Sequence, residues 1–264
     1  MMETSADDFP LIGIIGGVGP FAGLDFIKKI LSNTRAVKDQ EHINSMLISC
    51  SSLIPDRTEF LLNDDGRENP ANGMFRCARS LYKAGVRHAS VACNTAHSSR
   101  IFSPFCAKVA ESLPGLTIVN MLETCAAFVK NELHFTRIGL LATKGTYKSA
   151  VYHEYFKKAD GFELIEPEER GQDKIHESIY SEKFGIKAYS QPVKPQAKNT
   201  IIYEIYRLAE RGVEAVILGC TELPLAISSD DFTLPVIDPG LLTARRLLSL
   251  IAPEKLAPLP ALMP

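Results

Sequence analysis

Residues 91–97 read VACNTAH, and residues 217–223 repeat the pattern as ILGCTEL. In each segment an apolar run ends at a cysteine, Cys93 or Cys220, and a threonine follows directly or one residue later. The apolar runs predict two buried strands. Because ligands of an open α/β sheet bind beyond the carboxyl ends of its strands, both cysteines are expected at such a crevice.

The repeat extends upstream of both cysteines. A glycine, Gly85 or Gly212, stands eight residues before each cysteine, where it is typical of a helix end. Farther upstream, residues 11–16 (LIGIIG) and 137–142 (RIGLLA) are similar strand-like runs at nearly equal distances from the two cysteines. Internal similarity of this kind predicts two related α/β units, each of which supplies one thiol.

Composition narrows the class of protein. The chain has 264 residues, of which 45% are hydrophobic and 23% are charged, which is typical of a globular protein with a sizeable core. Its net charge of −2, without a basic stripe, argues against nucleic acid or an anionic membrane as partner. No apolar run approaches the roughly 18 to 20 residues that span a bilayer.

Residues 1–8 are polar and acidic, unlike a secretory signal, and we therefore expect a cytoplasmic protein. In a reducing compartment the cysteines are expected to be free thiols, since they show no Cys-x-x-Cys pair and no metal-ligand spacing. They are Cys50, Cys77, Cys93, Cys106, Cys125 and Cys220.

A glycine-rich turn, GGVGP at residues 16–20, joins the first predicted strand to a helix. Backbone N–H groups at a helix N-terminus favour anions. The turn lacks the spacing of a dinucleotide fingerprint and the Gly-Lys-Ser/Thr ending of a phosphate loop. A turn that faces a carboxylate, or one that is merely tight, is therefore favoured over a nucleotide site.

Buried cysteines are most often small hydrophobic residues, but Cys93 and Cys220 differ from the other four. Both lie at predicted strand ends beside hydroxyl or amide side chains. A thiol nucleophile with a general base would explain one cysteine, yet His97 has no counterpart after Cys220. Two matched thiols suit a different reaction, in which one thiolate removes a proton from carbon and the other thiol protonates the opposite face.

Hydrogen-bond donors beside each thiol would stabilise the thiolate that such a reaction needs. Asn94, Thr95 and Thr221 are placed to supply them. Two neighbouring residues, His97 and Glu222, admit two interpretations: they either tune the thiols or begin the following helices without a chemical role.

Six motifs resemble the cofactor-independent aspartate/glutamate racemases of the Asp/Glu/hydantoin racemase superfamily, and the aspartate racemase branch most closely. They are spread over nearly the whole chain, which makes the set more specific than any single motif. They are IGIIGGVGP at 12–20, DQEH at 39–42, IPDRT at 54–58, CNTAH at 93–97, LLATKGT at 140–146 and GCTE at 219–222.

The resemblance implies an α/β fold of two pseudo-symmetric open α/β domains with mainly parallel sheets and the active site in the interdomain cleft. Residues 1–117 with 228–264 would form the N-terminal domain, which carries Cys93. Residues 118–227 would form the second domain, which carries Cys220. The charged region 160–199, which glycines and prolines interrupt, is expected to be the least regular part of the chain.

The resemblance also implies site residues. Cys93 and Cys220 would be the two bases, with neither pyridoxal phosphate nor a metal as cofactor. Arg57 of IPDRT and Lys187 of the segment GIKA would each bind one substrate carboxylate, as an arginine fork and a lysine point charge can. Thr143 is either a substrate contact or part of a threonine-rich turn.

The expected function is interconversion of L- and D-aspartate or glutamate, with a small amino acid as substrate and a homodimer as the assembly. Two alternatives remain. One is a broader-specificity amino-acid or hydantoin racemase or isomerase of the same fold, and the other is a non-catalytic dicarboxylate-binding protein. The chain departs from the family pattern at residues 51–53 (SSL) and in its long 160–199 region, both of which would line the cleft.

Overall fold

Two four-stranded sheets, both parallel throughout, form the centre of the molecule. The computed structural model describes residues 9–63, 65–157, 161–228, 231 and 233–259. The acidic stretch 1–8, on which the expectation of a cytoplasmic protein rests, lies outside the described residues.

The first sheet has the strand order β2-β1-β3-β4 and the second has the order β6-β5-β7-β8. The two orders are the same when each sheet is numbered from its own first strand, so the sequence repeat is a structural repeat. The α/β class and the parallel sheets are confirmed. The strands are β1 (Leu11–Gly16), β2 (Asn44–Ser49), β3 (His88–Val91), β4 (Thr117–Val119), β5 (Arg137–Ala142), β6 (Glu163–Ile165), β7 (Ala215–Gly219) and β8 (Val236–Ile237).

Helices connect the strands, and several begin at signals that the sequence carries. Proline occupies the first turn of α1, α3, α9 and α10, where its missing N–H has no helical partner. The helices are α1 (Pro20–Ser32), α2 (Arg57–Leu62), α3 (Pro70–Lys83), α4 (Ser99–Ser112), α5 (Met121–Glu132), α6 (Lys144–Lys148), α7 (Val151–Lys157), α8 (Glu169–Tyr180), α9 (Pro195–Glu210) and α10 (Pro239–Ile251).

The two repeated glycines end helices, as the sequence predicts. Gly85 follows the C-cap of α3 with φ 95°, and Gly212 follows the C-cap of α9 with φ 76°. Residues with a Cβ rarely adopt these angles, so glycine permits the tight exit into β3 and β7. Both cysteine-bearing strands are therefore entered in the same way.

The 160–199 region is more regular than its composition predicts. It contains β6, all of α8 and the start of α9. The helix α8 is mostly polar, with Ile175 and Ile179 as its fully buried aliphatic side chains, so its apolar period was too weak to read. Just before this region the chain bends between two helices: α6 ends at Lys148, Ala150 has φ 50°, and α7 begins at Val151.

The boundaries expected at residues 117 and 228 stay a prediction. Strand pairing places β8, which was expected in the first unit, in the second sheet beside β7. The following helix α10 packs against α1 and α5, and its Leu247 and Leu248 share a core cluster with Ile12 and Ile14 of β1. Among the described helices, none combines the length and the apolar character that a bilayer crossing requires.

Candidate active site

The two cysteine-bearing strand ends meet. Cys93 lies two residues beyond β3 and Cys220 directly follows β7. The hydroxyl of Thr221 donates to the carbonyl oxygen of Ala92 at 3.2 Å, which joins the residue after one cysteine to the residue before the other. Both cysteines are buried, each with 6% of its surface exposed. The contact brings the equivalent carboxyl edges of the two sheets together.

Arg57 contacts the first cysteine. It begins α2 and is buried, and its guanidinium lies near enough to Cys93 for its charge to interact with that sulfur. The same guanidinium donates to the carbonyl oxygens of Val18 at 2.7 Å and Pro55 at 3.2 Å. Burial lowers the pKa of Arg57, but the Cys93 sulfur and the Asp56 carboxylate outweigh burial and raise it above its usual range. Arg57 is therefore a fixed cation beside this sulfur.

Glu222 contacts the second cysteine. The Cys220 thiol donates to Glu222 Oε2 at 2.9 Å, and both side chains are buried. Burial raises the pKa of the Cys220 thiol well above its usual value, and the Glu222 carboxylate raises it further. The two thiols thus lie in opposite fields, one beside a cation and one beside a carboxylate.

Lys187 lies in a small network at the same site. Its Nζ is 3.7 Å from Asp56 Oδ2 and 4.3 Å from the centre of the Tyr180 ring. The Tyr180 hydroxyl donates to Asp56 Oδ2 at 2.9 Å. Burial raises the pKa of Asp56, but Arg57 and Lys187 outweigh it and lower the pKa below its usual value. Asp56 therefore offsets part of the positive charge that Arg57 and Lys187 supply.

A cluster of threonine hydroxyls links the two units. Thr95 Oγ1 lies 3.2 Å from Thr143 Oγ1 and 2.9 Å from Thr146 Oγ1, and Thr58 Oγ1 donates to Thr143 Oγ1 at 3.3 Å. All four side chains are buried. Thr143 also caps α6 by accepting from the Thr146 amide. The structure therefore brings Thr95 and Thr143 together, but their observed hydrogen bonds go to each other rather than to a thiol.

Asn94 is held from the second unit. Its Oδ1 accepts from the Tyr152 hydroxyl at 2.6 Å, and the side chain is buried. Its Nδ2 has no acceptor among the described residues, so an amide donor remains for another group. Tyr152, like Asp56 and Tyr180, had not been identified as a site residue from the sequence. Asp56 stood inside the IPDRT motif, whereas both tyrosines reach the site from helices of the second unit.

His97 has a structural role in these contacts. Its Nδ1 lies 2.8 Å from the Cys93 carbonyl oxygen, and its Nε2 accepts from the Met121 amide at 3.2 Å. Its ring stacks on Phe102 with centroids 4.6 Å apart. Burial lowers the pKa of His97 to about 4, so the ring is neutral at pH 7. Of its two possible roles, these contacts favour fixing the Cys93 loop to the start of α5.

A cavity of about 380 Å³ opens beside these groups. Arg57, Lys187, Asp56 and Glu222 line it together with the glycine-rich turn before α1. The two residues expected to bind carboxylates thus share one cavity. Among the described residues, no group of three His, Cys, Asp or Glu side chains is arranged to hold a metal ion.

The chain belongs to the Asp/Glu/Hydantoin racemase family, whose model matches residues 15–247. The fold is similar to that of Picrophilus torridus aspartate racemase, with a TM-score of 0.76 and 30% sequence identity. The match covers 91% of this chain and 94% of that one. It is also similar to an aspartate racemase homologue from Pyrococcus horikoshii, with a TM-score of 0.70 and 27% identity, over 92% and 100% of the chains.

A third relative is similar in sequence. The broad specificity amino-acid racemase RacX of Bacillus subtilis is 24% identical over 247 residues, which cover 90% of this chain and 97% of that protein. The family expected from the six motifs is confirmed, and membership of it supports an isomerase of the racemase type.

Proposed function

We propose that this protein interconverts the enantiomers of aspartate or glutamate without pyridoxal phosphate, with Cys93 and Cys220 as the two bases. Family membership and the similarity to aspartate racemases support this class of reaction. The observation that carries the proposal is the Thr221–Ala92 hydrogen bond, which joins the two cysteine-bearing strand ends across the two sheets.

In the proposed reaction a substrate α-carbon lies between the two sulfurs. The thiolate of one cysteine removes the α-proton, and the C–H electron pair passes to the α-carbon and its carboxylate. The thiol of the other cysteine then delivers a proton to the opposite face, which inverts the centre. The reaction consumes no oxidant and no second substrate, and each turnover leaves the proton on the cysteine that acted as base.

Arg57 and Lys187 are the proposed carboxylate partners, since both are cations on the wall of one cavity. The charge of Arg57 also interacts with the Cys93 sulfur, so a carboxylate bound to Arg57 would lie near the reacting sulfur. The free amide donor of Asn94 and the hydroxyls of Thr95, Thr143 and Thr221 are the remaining proposed polar contacts of the substrate. A cytoplasmic homodimer is the proposed setting.

Aspartate and glutamate differ in how far the second carboxylate lies from the α-carbon. The Asp56 carboxylate, 3.7 Å from Lys187 Nζ, offsets part of the attraction that a second substrate carboxylate would meet there, which weakens discrimination in favour of a dicarboxylate. This observation, with the similarity to RacX, favours a broader amino-acid racemase as the second candidate function. Comparable kcat/KM values for aspartate and for an uncharged amino acid such as alanine would favour that candidate.

The direct test is proton NMR of L-aspartate, and separately of L-glutamate, in D2O with purified protein and no added cofactor. We expect the α-hydrogen signal to disappear and deuterated D-amino acid to accumulate, as a chiral separation of the product will show. If the thiols are reduced and neither acid exchanges its α-hydrogen, dicarboxylate racemisation is wrong. Tight binding of aspartate without exchange would instead support a dicarboxylate-binding protein.

A further inference from the structure

The carboxylate of Glu222 is buried against a thiol that is itself buried, an arrangement that needs an explanation. Its Oε2 accepts from the Cys220 thiol at 2.9 Å and lies 3.3 Å from the Thr221 hydroxyl, whose single proton it shares with the Ala92 carbonyl oxygen. Glu222 exposes only 4% of its surface. A buried carboxylate is costly unless hydrogen bonds or charges compensate it.

The orientation of this carboxylate is fixed by the glycine-rich turn. The other oxygen, Oε1, has no hydrogen-bond partner among the described residues. It lies so close to Gly19 that a Cβ atom on that residue would be only 2.1 Å from Oε1. Gly19 has φ 141° and precedes the first turn of α1, whose dipole favours a negative charge. The turn therefore accommodates Oε1 and leaves Oε2 on the sulfur.

We propose that Glu222 holds the proton of Cys220, so that in the resting enzyme Cys220 is the acid and Cys93, beside Arg57, is the base. A hydrogen bond from S–H to a carboxylate exists only while the thiol keeps its proton, and a second negative charge at 2.9 Å would be repelled. Cys93 has no such carboxylate on its sulfur among the described hydrogen bonds, and its charged neighbour is instead the guanidinium of Arg57.

Other ionisable groups near Cys220 do not reverse this preference. Lys187 favours the thiolate of Cys220, but burial and Glu222 outweigh it, and the net pKa of the thiol is raised. Burial also raises the pKa of three tyrosines whose charge would interact with this sulfur, so they are neutral at pH 7: Tyr147, Tyr152 and Tyr180.

The assignment of base and acid rests on the proposed racemisation, whereas the protonation of the two thiols does not. In the resting form, Cys93 takes the α-proton and Cys220 gives up its own to the carbanion. The enzyme then holds a Cys220 thiolate against the Glu222 carboxylate. Proton exchange with solvent restores the resting form, since that arrangement is disfavoured. Glu222 is thus a positioning residue that acts through Cys220.

Alkylation of the free enzyme tests the proposal without turnover. Iodoacetamide reacts with thiolates, and peptide mass spectrometry measures its rate at each cysteine between pH 6 and pH 10. Both cysteine residues are 6% exposed, and the pH dependence of each rate separates thiolate content from access. We expect Cys93 to react about tenfold faster than Cys220 at pH 7.5, with the rate at Cys220 rising only at higher pH.

The variant Glu222→Gln keeps the shape of the side chain and removes its charge. We expect it to raise the alkylation rate of Cys220 about tenfold at pH 7.5 and to shift its pH profile downward, with little change at Cys93. Glu182→Gln, which alters an exposed carboxylate, is the control and should leave both rates unchanged.

Equal rates at the two cysteines of the wild-type enzyme would overturn the proposal, and that comparison needs no variant to fold. An unchanged Cys220 profile in Glu222→Gln would also overturn it. If the asymmetry is present but no amino acid racemises, the proposed function fails while the role of Glu222 stands. If racemisation occurs but the two cysteines are alkylated at equal rates, the proposed function stands while the role of Glu222 fails.

Discussion

The buried ring of His97 makes the stability of the protein depend on pH in a predictable way. Its pKa falls from 6.5 to about 4 on folding because burial disfavours the charged ring. Between these values the unfolded chain binds a proton that the folded chain excludes, so the free energy of unfolding falls as the pH falls from about 6.5 toward 4. The stability that this group contributes is fully present above 6.5 and is lost through that window.

The size of the effect follows from the same two values. A difference between 6.5 and about 4 corresponds to about 3 kcal/mol in the free energy of unfolding, since one pKa unit is about 1.36 kcal/mol. Two further histidines, His88 and His176, also have a pKa lowered by burial. The wild-type slope alone therefore does not isolate His97, and a variant is required.

The assay is urea unfolding at several pH values from 4 to 8 for wild-type protein and for His97→Gln. We expect the variant to be less stable at pH 8, because it loses ring contacts with Cys93, Met121 and Phe102. Its disadvantage should shrink by about 3 kcal/mol as the pH approaches 4. His134→Gln, at an exposed position, controls for loss of a histidine as such. A disadvantage that stays constant with pH would refute a neutral, buried His97.

Three further substitutions test other parts of the structure. Arg57→Lys keeps the charge but cannot span the Val18 and Pro55 carbonyl oxygens as a guanidinium fork does. We expect kcat/KM for aspartate to fall about 30-fold or more. The control Arg76→Lys, on the exposed face of α3, should not change it. A value within about twofold of wild type would show that the guanidinium fork is dispensable. Asn120→Ala removes the acceptor that caps α5 and should lower the free energy of unfolding by about 1 kcal/mol in urea titrations. The control Asn131→Ala, at an exposed position on the same helix, should lower it much less. Thr143→Val removes a hydroxyl that bonds to three other threonines and caps α6, so the free energy of unfolding should fall by about 1 to 2 kcal/mol in thermal unfolding. Thr143→Ser should largely restore it. A Thr143→Val variant as stable as wild type would mean that the cluster does not hold the units together.

The sequence was most informative where one chemical pattern occurred twice. The two apolar runs before Cys93 and Cys220, each with a glycine at the same distance upstream, predicted two parallel-sheet units and two equivalent strand ends. The structure adds the strand order, which depends on how the helices pack and leaves no local signal.

Contacts between the units were beyond prediction from the residues alone. The Tyr152 hydroxyl reaches Asn94 across 58 positions of the chain, and Tyr180 reaches Asp56 across 124. Tyr180 also lies on α8, where a polar composition concealed the helix. The two interpretations of Glu222 could not be separated either, because the choice depends on where Gly19 directs its carboxylate.

Substitution of each cysteine tests the two-base mechanism most directly. We would measure kcat/KM for L-aspartate and for D-aspartate with Cys93→Ser, Cys220→Ser and the control Cys106→Ser, which changes a half-buried thiol of α4. A serine hydroxyl is far less acidic than a thiol, so both site variants should lose at least about a thousandfold in both directions. The control should remain close to wild type. Retention of full activity by either Cys93→Ser or Cys220→Ser would contradict the mechanism.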